Sequence, residues 1–137
     1  MISLIIRMNH IGVVLEIHKK RMINITKLLI GMAVGLIAQA LTFLQLQGSL
    51  KYDWFKNNYW LTVLMGIPIS ILFMYSVKNM VMAFNGQLWP SRLIGFSLGA
   101  IVFTWLSWAL FKEPLTTKTF VCLFLAFSIL IVQLFWK

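Results

Sequence analysis

Acidic residues are almost missing from this 137-residue chain. Only Glu16, Asp53 and Glu113 occur, against twelve Lys and Arg. None of the three falls inside the long apolar stretches 28–46, 59–77, 91–111 and 119–136. No nucleophile, acid and base come together anywhere, so an enzyme is not expected. The single cysteine, Cys122, excludes an intrachain disulfide. His10 and His18 match no metal-ligand spacing, so no metal and no cofactor is expected. Charged residues make up 11% of the chain. A soluble domain carries about 25%, so this composition excludes a water-facing surface over most of the molecule.

What is present is hydrocarbon: 61% of the residues are apolar. Each of the four stretches has about 18–21 residues, enough to cross a hydrocarbon core of about 30 Å at 1.5 Å per residue. The fold expected is all-α, an integral membrane bundle of four transmembrane helices formed by residues 28–137. The formal net charge of +9 then belongs to flanking Lys and Arg that meet phospholipid headgroups. The bilayer is the expected partner, and nucleic acid is not.

Residues 1–27 differ from the rest. Two short apolar runs, 2–6 and 11–17, are broken by Arg7, Asn9, His10 and Glu16, and the segment ends in Lys19-Lys20-Arg21. Neither run is long enough to span, and no small-residue cleavage site follows a clean apolar core. The segment reads as an interfacial or disordered stretch, or as an extension ahead of a start at Met8 or Met22, the last being favoured. Orientation depends on it. With the whole segment, one side of the bundle carries Arg7, Lys19, Lys20, Arg21, Lys27, Lys78, Arg92 and Lys137, and the other Lys51, Lys56, Lys112 and Lys118. That excess places both termini in the cytoplasm. A start at Met22 would leave the two sides equal.

Along the chain, Gly31 and Gly35 in the first span and Gly95 and Gly99 in the third have the small-xxx-small spacing that lets helices approach closely. Pro68 is expected to kink the second span. Asn85-Gly86 marks a turn. The short segment 112–118, with Pro114, makes the third and fourth spans an antiparallel hairpin. Tryptophans 60, 89 and 136 sit at span ends, where aromatic belts form.

Two polar side chains are candidates for binding. Arg92, at the edge of the third span, either takes an anionic group by a bidentate contact or snorkels to headgroups. Gln39, in the middle of the first span, either lines a substrate cavity or joins helices by a hydrogen bond. Trp89, beside Pro90 and Arg92, is a third candidate.

Leu88-Trp89-Pro90, Gly95, Gly99, Leu106-Ser107-Trp108 and Phe111-Lys112-Glu113-Pro114-Leu115, followed by an apolar helix ending near Val132-Gln133-Leu134, resemble the drug/metabolite transporter superfamily, which includes the small multidrug resistance proteins. The detailed likeness covers about the last fifty residues. It implies a homodimer, or a hetero-oligomer with a similar small subunit, working by alternating access in a bacterial inner membrane. The proton-coupled exporters of that family carry a membrane-embedded Glu in helix one. This chain has none, and Gln39 is the nearest polar residue. The pattern is closer to the four-helix flippase subunits that handle lipid-linked aminoarabinose. The resemblance therefore implies an anionic or neutral-polar substrate, with Arg92, Gln39 and Trp89 at its site, and no Glu-based proton/cation antiport. The alternative is a non-transporting membrane subunit that buries its glycine faces against a larger membrane partner.

Overall fold

A computed structural model describes residues 1–21 and 23–136, with side chains described for 1–15 and 23–136. Met22, one of the expected start sites, and Lys137, one of the charges in the orientation count, lie outside the described residues. So do the side chains of residues 16–21.

Every element among the described residues is an α-helix: α1 (Ile2–Arg21), α2 (Ile25–Lys51), α3 (Asp53–Asn57), α4 (Tyr59–Leu64), α5 (Gly66–Ala83), α6 (Leu88–Phe111) and α7 (Thr117–Phe135). Four units are long and apolar enough to cross a membrane: α2, α4 with α5, α6, and α7. The chain is thus an all-α bundle with four candidate membrane spans. Its composition and its outer surface agree. Phe96, Trp105, Phe120, Phe124 and Phe127 all point outward, an arrangement that hydrocarbon favours and water opposes.

The spans are longer than the apolar runs alone suggest. Asn24 caps α2, its side-chain oxygen accepting from the Lys27 backbone N–H at 3.2 Å. Helix α5 continues past Lys78 to Ala83, because Met80, Ala83 and Phe84 are buried in the core while Lys78 stays exposed. The turn after it closes at Asn85 and Gly86, both with positive φ (54° and 89°), which fits the Asn-Gly turn signal. Helix α6 starts at Leu88, so Pro90 falls in its first turn, where a missing N–H is harmless. The connection after α2 is itself helical, as α3.

Pro68 acts as expected, with one refinement. The second span is interrupted at Met65, three residues before the proline, splitting it into α4 and α5. Pro68 has no N–H for the Leu64 carbonyl. Beside the break, Gln45 of α2 donates through Nε2 to the Thr62 carbonyl at 2.9 Å. A neighbouring helix thus supplies a polar group where the backbone ladder is disturbed.

The core sits where α2, α5, α6 and α7 meet, around Leu28, Met80, Ala83, Phe84, Ile94, Leu98 and Leu130. Helix α2 packs most extensively on α5 and then on α6, and α7 packs on α6 as the second arm of a hairpin. The α2–α5 contact is close because of glycine. A Cβ at Gly31 would lie 3.0 Å from the backbone nitrogen of Met80 and 3.0 Å from the carbonyl oxygen of Ser76. Ser76 is buried and donates its hydroxyl to the Gly31 carbonyl at 2.6 Å. Small residues at 31 and 35 thus bring two backbones near enough for a direct side-chain bond.

Candidate functional site

Between α2, α5 and α6 lies a crevice of about 130 Å³, the polar side chains of which converge from all three helices. Helix α2 contributes Gly35 and Gln39, α5 contributes Phe73, Ser76 and Met80, and α6 contributes Ser91, Arg92, Gly95 and Phe96. Arg92 and Gln39, both expected as binding residues, therefore share one cavity wall. Trp89 does not line it. Trp89 is 78% exposed on the first turn of α6, the position of a belt aromatic at the membrane surface.

The geometry follows from the pitch of α6. Ser91, Arg92, Gly95 and Phe96 fall at i, i+1, i+4 and i+5, one side of a helix. Arg92 stands on the fifth residue of α6, near the membrane edge, and is exposed. Gln39 lies a few residues deeper. Its Nε2 donates to the Gly95 carbonyl at 3.4 Å, a long bond that holds the amide only loosely. Gly99 makes room for it: a Cβ there would sit 2.9 Å from Gln39 Nε2. A Cβ at Gly95 would meet nothing within 4 Å, so this glycine borders open space.

The other polar atoms of the crevice are already partnered. Ser76 bonds to Gly31, and Ser91 donates to the Leu88 carbonyl at 2.7 Å. The charge of the site is simple. Among the described residues Arg92 is the sole ionisable one in its lining, and no described carboxylate faces it there. The remaining wall is Phe73, Val77, Met80, Phe96 and Leu98. The site thus combines a cation at its outer end, an amide deeper in and an apolar flank. These groups can bind and orient a molecule. They include no general base or activated nucleophile that could transform one.

Of the glycines expected to pack helices, Gly31, Gly35 and Gly99 do so within the chain, against Met80, Ser76 and Gln39 respectively. Gly95 does not. Ser76 and Ser91 join the site through the packing of α5 and α6. A polar residue inside an apolar run was the available signal for Ser76. Phe73 and Phe96 carried none, because aromatic residues are common on every face of a membrane helix. Among the described residues no group of His, Cys, Asp and Glu is placed to hold a metal ion.

No protein-family model, no curated protein and no solved structure matches the chain. The likeness to the drug/metabolite transporters rests on the residues quoted above.

Proposed function

We propose that this chain is a small membrane transporter, or a lipid-carrier flippase subunit, of the drug/metabolite transporter type, and that it takes an anionic or neutral-polar substrate into the crevice between α2, α5 and α6. The observation that carries this reading is the pairing of Arg92 with Gln39 in one crevice whose lining, among the described residues, holds no carboxylate. A guanidinium offers planar, bidentate donors to a phosphate or carboxylate. A glutamine amide adds a donor and an acceptor and does not titrate. The same lining would repel a cation and could not bind a proton in exchange for one.

In this reading the protein works as a homodimer, or with a similar small subunit, in the inner membrane of a bacterium. The excess of Lys and Arg on the side that carries Arg92 favours both termini in the cytoplasm. Arg92 then faces the cytoplasmic mouth. The alternative, a non-transporting subunit packed on a larger membrane protein, would use the glycine faces as its docking surface. Three of those four glycines are occupied inside the chain, which favours the transporter reading.

The test is flux in proteoliposomes, with a panel of organic anions, neutral polar solutes, phospholipids and lipophilic cations. The expected result is transport of an anion or a neutral polar compound that Arg92→Gln and Gln39→Leu each abolish while Trp89→Ala leaves it intact. Preferential transport of cations, or variants as active as the parent, would overturn the assignment.

A further inference from the structure

Helix α1 has no role in the crevice, yet it is the most exposed apolar surface of the chain. Every residue from 1 to 15 is exposed, including Ile2, Leu4, Met8, Ile11 and Leu15. We infer that α1 is a membrane-surface anchor. Its apolar side lies in the headgroup boundary of the leaflet from which α2 enters the bilayer, and that leaflet is anionic.

Three features identify the occupant as lipid. The first is position. Residues 22–24 alone join α1 to α2, and three residues reach at most about 11 Å. Asn24 is tied to the bundle, its backbone N–H donating to the carbonyl of Ala83 at the end of α5 at 3.1 Å. The C-terminal end of α1 is therefore held at the level of the headgroups. A helix of this length, about 30 Å, must then lie along the membrane or project from it.

The second feature is the division of its surface. Ser3, Arg7 and His10, spaced four and three apart, share one shallow groove along the helix with Leu4 and Ile6. Leu4, Met8, Ile11 and Leu15, at the same spacing, form an apolar stripe beside it, about 100° further round the helix, with Leu4 at the shared edge. An apolar stripe exposed along the whole described length of the helix suits a lipid interface.

The third is charge. Lys19, Lys20 and Arg21 close the helix, with Lys27 one turn into α2. Basic residues next to a membrane span attract anionic lipid. Arg7, Asn9 and His10 prevent the segment from spanning.

The full chain with Cys122→Ser, reconstituted in phosphatidylglycerol-containing vesicles, tests this. Single cysteines are placed as Leu4→Cys, Arg7→Cys, Met8→Cys, His10→Cys, Ile11→Cys and Leu15→Cys, each labelled with a polarity-sensitive dye. Lipid-phase nitroxide is expected to quench positions 4, 8, 11 and 15 several-fold more than 7 and 10. Aqueous iodide is expected to show the reverse order. Equal iodide quenching at all positions would show a helix projecting into water. Protection of 4, 8, 11 and 15 from both quenchers would show a protein cover, such as a second copy of α1. Either result overturns the proposal. In vesicles of phosphatidylcholine alone, or with Lys19→Gln, Lys20→Gln and Arg21→Gln combined, lipid-phase quenching is expected to fall. If it does not, the requirement for anionic lipid is wrong.

Discussion

Gln39 reaches across from α2 to rest its amide on Gly99 of α6, where a Cβ would stand only 2.9 Å from Nε2. The atom that would clash is the far end of a flexible side chain. Gly99→Ala should therefore leave the bundle folded and displace the amide from its place beside the Gly95 carbonyl. The expected outcome is a thermal midpoint in detergent close to that of the parent, combined with loss of the crevice's binding or transport activity. Loss of stability alone, with activity per folded molecule unchanged, would show that Gln39 only joins helices.

The two small-xxx-small pairs do different work, which a substitution series can read. At Gly31 the neighbours of an added Cβ include backbone atoms of Met80 and Ser76, which can move only if α2 and α5 separate. Gly31→Ala should destabilise the chain by about 1–3 kcal/mol, the usual penalty of overpacking, and stretch the bond between Ser76 and the Gly31 carbonyl. At Gly95 an added methyl meets nothing within 4 Å, and Gly95→Ala should be neutral or slightly stabilising. Thermal unfolding of both variants in one detergent checks the contrast; equal shifts would contradict it.

The contrast between these glycines also marks how far the sequence could be read. The acid-free runs gave away the spans because charge is excluded from hydrocarbon whatever the fold. Pro68 and Asn85-Gly86 were legible because their backbone chemistry acts locally. The grouping of Gln39 with Arg92 around one crevice depends on which helix faces meet. In a water-soluble bundle the apolar stripe reveals that face. Here Phe73, which lines the crevice, and Phe124, which faces outward, are equally apolar. Lipid gives no reason for the outside of a helix to differ from its inside. Trp89 illustrates the cost. It shares a face of α6 with Arg92 and Phe96, three and seven residues on, yet it stands on the exposed first turn of the helix and does not line the crevice. The extension of α5 beyond Lys78 was hidden for a different reason. Lysine marks a span end by its charge, but one exposed lysine can ride on a helix that continues as long as its aliphatic stem and the surface allow.

Gln45 offers a separate test of the break in the second span. Its Nε2 is the donor to the Thr62 carbonyl, and the Thr62 hydroxyl itself donates to the Asn58 and Phe55 carbonyls at 3.2 Å and 3.3 Å. Gln45→Leu keeps the bulk and removes the donor. A loss of about 1 kcal/mol is expected, the scale of one interhelical hydrogen bond in a membrane. Combining it with Pro68→Ala should cost less than the sum of the two single changes, because restoring the ladder reduces the need for an outside donor. A double-mutant cycle of thermal stabilities measures this coupling, and strict additivity would show that Gln45 acts on Thr62 alone.

The end of α6 carries a strained residue whose replacement should stabilise the hairpin. Lys112 caps the helix in the left-handed region, with φ 54° and ψ 30°. A residue with a Cβ pays about 1–2 kcal/mol for that conformation, and glycine does not. Nearby, Lys51 of α2 donates through Nζ to the Leu110 carbonyl and lies 5.8 Å from the centre of the Phe111 ring. The charge that complements the C-terminal carbonyls of α6 is thus supplied by Lys51 rather than by Lys112. Lys112→Gly should raise the thermal midpoint, while Lys51→Met should lower it. Lys112→Gly would also remove one positive charge from the side that carries Lys51, Lys56 and Lys118. The orientation bias should then strengthen, with the share of chains whose termini face the cytoplasm rising or staying complete. Accessibility of a terminal tag to protease in intact spheroplasts reads the second effect independently of the first.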